Sequence, residues 1–288
     1  MEELIRKKNG GHMRANLKNG VLYFTFPELE RISFVTHAFS SRLGGVSENE
    51  LATMNLSYTR GDDPERVSEN FRRISEAAGF SCDRMVFSCQ THTTNVREAT
   101  EKDCGMGYLR ELDYTDVDGL VTNTPGVVLA TFYADCVPLY FVDPAHRAIG
   151  LSHSGWRGTV NNIAGVTVNK MQKAYGTEPS DLIAAIGPSI CQDCYEVSED
   201  VVGIFRERYP KELWPSLFER KNEEKYQLNL WEACRRNLLR AGVRPERILV
   251  TDLCTCCNPD IFFSHRASHG KRGNLAAFLT INLDSQNA

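Results

Sequence analysis

Three short stretches of the 288-residue chain set reactive side chains beside turn residues: Cys89-Gln90-Thr91-His92, Tyr133-Ala134-Asp135-Cys136-Val137-Pro138 and Leu151-Ser152-His153-Ser154-Gly155-Trp156-Arg157-Gly158. Turns at strand ends are where folds tend to display functional groups. Thiols and imidazoles in such places either bind a metal or serve as nucleophile and base. Taken singly, each stretch is better explained by a buried thiol or a hydrogen-bonded histidine. Their wide separation imposes no local zinc pattern. Two further cysteine groups, Cys191-Gln192-Asp193-Cys194 and Cys254-Thr255-Cys256-Cys257, could supply four thiolates to a second metal, a question the sequence leaves open. Gly-x-Gly-x-x-Gly opening a helix, Walker A, His-Glu-x-x-His and Gly-x-Ser-x-Gly are all missing, which removes the commonest nucleotide, metalloprotease and serine hydrolase signatures.

The elements that must position these groups are mostly strands. Runs rich in β-branched and aromatic residues predict strands over 21–26, 32–39, 85–88 and 95–99. Nearly continuous apolar runs predict buried strands over 127–133 and 139–142, and further strands are expected over 148–153, 182–186 and 248–251. Asp63 as N-cap and Pro64 at the first turn open a helix whose apolar face carries Val67, Phe71, Ile74 and Ala78, ending near Gly79. Other helices are expected over 159–175, stopping at Gly176, and over about 198–209 and 229–241. Strands outnumber helices and only partly alternate with them, so the expected class is α+β or mixed α/β, with helices covering sheets. No repeat or flexible linker is visible, and the expectation is a frayed segment over 1–20 followed by one domain over 21–288.

Composition narrows the class of partner. Lys plus Arg number 33 and Asp plus Glu 37, a formal charge of −4, which provides no global attraction for nucleic acid or anionic lipid. The longest apolar stretch, 127–142, is interrupted by Asp135 and Pro138 and is too short to span a bilayer. The charged N-terminus lacks the apolar region of an export signal, and ten cysteines are too few for a disulfide-built scaffold, so a cytoplasmic protein with free thiols is expected.

Seven segments in one order then carry a resemblance. They are Ala38-Phe39-Ser40-Ser41-Arg42-Leu43-Gly44-Gly45-Val46-Ser47, Gln90-Thr91-His92, Ala134-Asp135-Cys136-Val137-Pro138, His153-Ser154-Gly155-Trp156-Arg157-Gly158, Ala185-Ile186-Gly187-Pro188-Ser189-Ile190, Cys194-Tyr195-Glu196-Val197 and Phe263-Ser264-His265-Arg266. From about residue 33 to the C-terminus the chain resembles the family labelled polyphenol oxidase or laccase-domain protein, purine nucleoside phosphorylase of the YlmD/YfiH type, and peptidoglycan editing factor.

The resemblance implies a single-domain α/β/β/α layered fold with two mixed sheets. It implies that His92, Cys136 and His153 bind a metal; two imidazoles and a thiolate suit zinc, with copper possible at the same site, and three ligands leave a position for water or substrate. The implied activity is phosphorolysis of adenosine, inosine or 5′-methylthioadenosine to the base and ribose 1-phosphate, with deamination of adenosine. Phosphate would then be held by arginines, for which Arg42, Arg157 and Arg266 are the candidates. For proton transfer the candidates are Asp135 and His37. The alternative is a cysteine hydrolase, with Cys136 as nucleophile and His153 or His92 as base, trimming peptidoglycan precursors. The oxidase reading ranks last, because the seven histidines include no His-x-His pair of the kind that holds laccase copper. The expected partners are purine nucleosides and phosphate, with no nucleic acid or membrane, in a monomer or homodimer. Phe132, Tyr133, Trp156 and Tyr195 are candidates to stack on a purine.

Overall fold

The apolar strands assemble into two six-stranded sheets, seen in a computed structural model that describes residues 4–7, 11 and 13–283. The first sheet has the spatial order Arg14–Lys18, Val21–Thr25, Val35–Ser40, Leu275–Ile281, Val128–Tyr133, Met85–Phe87. The second runs Ile248–Val250, Ile183–Ile186, Val137–Asp143, Ala148–Ser154, Gly119–Thr122, Val96–Glu98. Both are mixed: Met85–Phe87 pairs in parallel with Val128–Tyr133, and Val96–Glu98 with Gly119–Thr122, whereas the central pairs are antiparallel.

The sheets pack face to face over one core. Phe39, Leu129, Tyr133 and Leu275 from the first meet Leu120, Tyr140, Ile149 and Leu151 from the second. Two tyrosine hydroxyls cross the interface, Tyr140 donating to the Ala38 carbonyl at 3.1 Å and Tyr133 to the Ser152 carbonyl at 3.2 Å, so neither buried hydroxyl is left unpaired. The outer face of the first sheet is covered by the Pro64–Ala78 helix through Val67, Phe71 and Ile74. The outer face of the second packs on the helices Ile163–Tyr175, Glu199–Arg208 and Leu230–Arg240. The result is the α/β/β/α layering that the resemblance implied. It also explains why Val137–Asp143 and Ala148–Ser154 are buried at every position, since both of their faces are covered. A three-stranded sheet, Glu196–Ser198, Lys225–Leu228, Phe218–Arg220, completes the described fold.

The Pro64–Ala78 helix starts and stops as expected. The Asp63 carboxylate accepts from the Glu65 N–H at 2.9 Å, and Gly79 closes the helix at φ 86°. The helix expected over 159–175 is instead two, Trp156–Val160 and Ile163–Tyr175. Asn162 breaks it, taking a left-handed φ of 64° while its side chain accepts from the Gly165 N–H. The expected frayed N-terminus is ordered where it is described. Arg14–Lys18 pairs with Val21–Thr25, the Lys7 N–H donates to the Asp252 carbonyl, and the Gly11 N–H donates to the Val250 carbonyl.

Candidate functional site

The register of two neighbouring strands brings the first two reactive groups together. Pro138 lies opposite His153 and Val137 opposite Ser154, so Cys136, one residue before its strand, sits beside the end of the strand that carries His153. The loop after Met85–Phe87 then brings in His92, whose backbone holds a left-handed φ of 67°. The Cys136 sulfur and one nitrogen from each of His92 and His153 lie within 4.8 Å of one another. The two imidazole rings meet edge to face with centroids 4.9 Å apart. Gly155 makes room for this: a Cβ there would stand 2.8 Å from His92 Cδ2 and 3.2 Å from Cys136 Sγ.

Asp118 ties the group together, a residue that no sequence motif marks. Its carboxylate, wholly buried, accepts from His153 Nδ1 at 2.7 Å and from the N–H groups of Thr91, His92 and Thr93 at 2.9, 3.1 and 3.1 Å. One side chain thus fixes the His153 ring and the loop that carries His92. Burial opposes ionisation of Asp118, but His153 and these N–H donors hold its carboxyl below the ordinary range. Burial likewise pushes the Cys136 thiol up, and the facing imidazoles of His153 and His92 more than reverse this, leaving it acidic. Burial also disfavours charge on His153, yet Cys136 and Asp118 on its two sides raise it above the usual imidazole range. A soft thiolate and two imidazoles held this closely match the donor set of a three-ligand zinc site with an open fourth position.

The cluster opens into a cavity of about 520 Å3, within the range of small-molecule sites. Phe87, Phe132, Leu56 and Leu112 give it an apolar wall, while Ser57, Ser88, Asn274 and Arg272 are polar. Arg272 was not singled out from sequence. Its guanidinium donates to Asn274 and to the Gly273 carbonyl, but its buried Nε has no hydrogen-bond partner. Burial and the nearby Arg60 lower it to about 10, so it remains a cation at neutral pH. Glu111 is the one carboxylate among the lining residues.

Five other expected site residues do not line this cavity. His37 is in the core, stacked on Phe26 and accepting the Phe26 N–H at 2.8 Å, and burial lowers it to about 3, so it has no proton to offer there. Asp135, at φ 86°, turns its carboxylate away from Cys136 to accept from the Thr255 hydroxyl and the Arg266 N–H, each at 2.7 Å. Arg42 donates to the carbonyls of Ala52 and Pro259 at 2.9 Å, and the N–H groups of the adjoining turn are taken by Thr53 and Asn70. Arg266 spans the carbonyls of Cys194 and Glu196 at 3.1 and 2.9 Å. Arg157 is exposed in the five-residue helix, its guanidinium 4.3 Å from the Trp156 ring centroid. Of the aromatic candidates, Phe132 and Tyr133 reach the lining; Trp156 and Tyr195 do not.

This fold and site belong to a known group. The family described as multi-copper polyphenol oxidoreductase laccase matches residues 36–282, and the chain belongs to that family. Purine nucleoside phosphorylase YlmD of Geobacillus stearothermophilus is 39% identical over 244 residues, covering 83% of this chain and 88% of the relative. Adenosine deaminase RL5, from an unknown prokaryotic organism, is 34% identical over 252 residues, 83% of this chain and 93% of the relative. The crystal structure of YlmD from G. stearothermophilus superposes with a TM-score of 0.85 at 35% identity, covering 98% of this chain and 100% of that one. The chain is an enzyme. Among the described residues no helix is long and apolar enough to cross a membrane.

Proposed function

We propose that this chain is a zinc-dependent purine nucleoside phosphorylase of the cytoplasm that also deaminates adenosine, with His92, Cys136 and His153 as the metal ligands. The observation that carries the reading is a single cavity with an apolar aromatic wall at Phe87 and Phe132, the guanidinium of Arg272, and the Cys/His cluster. The first two surroundings match a purine nucleoside and phosphate, and the third matches a metal ion beside them. The base gains from burial against aromatic faces, and the phosphate from a permanently charged planar donor.

In phosphorolysis a phosphate oxygen forms a bond to C1′ of the ribose, the C1′–N9 bond breaks, and the departing base takes up a proton. Arg272, a cation in the cavity wall, binds and orients the phosphate through its guanidinium. Phe132 and Phe87 wall the base and exclude water. Asp118 fixes the tautomer and direction of His153 and the position of His92. His92, Cys136 and His153 would hold the zinc ion, which would supply concentrated positive charge beside the substrate. The relatives, a purine nucleoside phosphorylase and an adenosine deaminase, support both activities.

A second reading has an observation of its own. Cys136, His153 and Asp118 form a thiol–imidazole–carboxylate series, which is also the arrangement of a cysteine hydrolase. Product chromatography with inosine separates the two. The phosphorylase yields hypoxanthine only when phosphate is supplied, and loses this in Cys136→Ala. Release of hypoxanthine without phosphate, or no release by zinc-loaded protein, overturns the proposal. Rapid alkylation of Cys136 by iodoacetamide in the zinc-loaded enzyme would favour the hydrolase.

A further inference from the structure

We propose that Cys191, Cys194, Cys254 and Cys257 hold a second, structural zinc ion, separate from the Cys/His cluster and closed to substrate. Two Cys-x-x-Cys pairs, 60 residues apart in sequence, converge so that all four sulfurs lie within 4.8 Å of one another. Cys194 Sγ is 3.4 Å and Cys191 Sγ 3.9 Å from Cys257 Sγ. Four sulfurs around one zinc at the usual bond length are spaced by about 3.8 Å, whereas a disulfide brings two to about 2.05 Å. The observed separations fit the first arrangement, and all four are free thiols.

The backbone around them is built for sulfur anions. The Cys191 N–H donates to Cys254 Sγ at 3.2 Å and the Cys257 N–H to the same sulfur at 3.4 Å. The first pair is wound by a 3-10 turn, Gln192–Cys194, and the second follows a bridge that pairs Ser189 with Cys254. A tetrathiolate zinc centre carries two negative charges. The Lys7 ammonium, bonded to Asp193 at 2.9 Å, interacts with Cys191 and Cys257. Cys256, which lies between the second pair in sequence, is outside the four.

Four protein ligands leave no coordination position, so the ion supports structure rather than reaction. What it supports is the segment that leads into Cys136. Thr255, between two ligands, donates to Asp135, and Arg266 clamps the Cys194 carbonyl while its N–H holds the other oxygen of Asp135. Asp135 adjoins Cys136. The zinc therefore fastens the 191–194 and 254–257 segments around Asp135, the residue next to Cys136.

The test is metal content of the full chain purified from zinc-supplemented medium, with Cys136→Ala as the informative variant because it lacks the thiol of the other cluster. Cys136→Ala is expected to retain one zinc per chain, with X-ray absorption giving four sulfur neighbours at about 2.3 Å. The double variant Cys254→Ser/Cys257→Ser is expected to lose one zinc relative to the parent. Cys136→Ala with less than half a zinc per chain, zinc with nitrogen neighbours, or a Cys194–Cys257 disulfide found by mass spectrometry would overturn the proposal. The readout involves no nucleoside, so it stands or falls independently of the phosphorylase reading.

Discussion

Asp118 is the residue whose loss should separate metal binding from folding. Asp118→Asn keeps the shape but offers an N–H2 where His153 Nδ1 now donates, so the ring loses its fixed tautomer. Zinc affinity at the Cys/His cluster is expected to fall by about 10- to 100-fold, measured by competition with a chelating dye, with the circular dichroism spectrum unchanged. Arg272→Ala should raise KM for phosphate more than KM for inosine, because it removes the cation from the cavity wall while leaving the aromatic wall in place. Equal effects on both would remove Arg272 from the phosphate role. His37 gives a pH prediction. Its pKa, lowered from 6.5 to about 3, means that the unfolded chain takes up a proton that the folded one refuses. The stability it contributes is complete above pH 6.5 and is lost as pH falls toward 3, the loss reaching roughly 2 kcal/mol at pH 5. Its imidazole carbon-bound protons should show no titration in NMR spectra between pH 5 and 8. The sequence made the thiol and both imidazoles of the cluster legible only through resemblance, since spacing gives no reason for them to meet. Asp118 and Arg272 escaped because both lie outside the seven segments that carry the resemblance.

At the scale of elements, the site depends on the junction between the Ala148–Ser154 strand and the short Trp156–Val160 helix. Gly155 there has φ −70°, which alanine can adopt, so Gly155→Ala should leave the backbone alone and act through its methyl group on His92 and Cys136. Phosphorolysis is expected to drop by about a hundredfold, as misplacement of about 1 Å can do, while the melting temperature moves little. A variant of normal rate would mean that the ligands adapt freely. Elements with strong local signals were legible: the capped Pro64–Ala78 helix and the apolar Val128–Tyr133 strand. Leu275–Ile281 was not, because Leu-Ala-Ala-Phe-Leu-Thr-Ile has no alternation when both faces are buried and its alanines suit a helix as well. Arg14–Lys18 is an edge strand whose exposed, charged ends read as loose chain.

The whole molecule is closed partly by segments far apart in sequence. Arg6 pairs with the wholly buried carboxylate of Asp252, which also accepts the Met13 N–H. Arg6→Ala should therefore cost about 1.5–3 kcal/mol in urea unfolding, the usual range for a charged hydrogen bond. A change near zero would show that the N-terminal segment docks without this pair. The Leu275–Ile281 strand is inserted between Val35–Ser40 and Val128–Tyr133, pairing with both. During synthesis those two earlier strands emerge from the ribosome long before the one that joins them. The nascent chain must keep two apolar edges apart from other molecules until its last strand arrives, so chaperone dependence and truncation-induced aggregation should concentrate there.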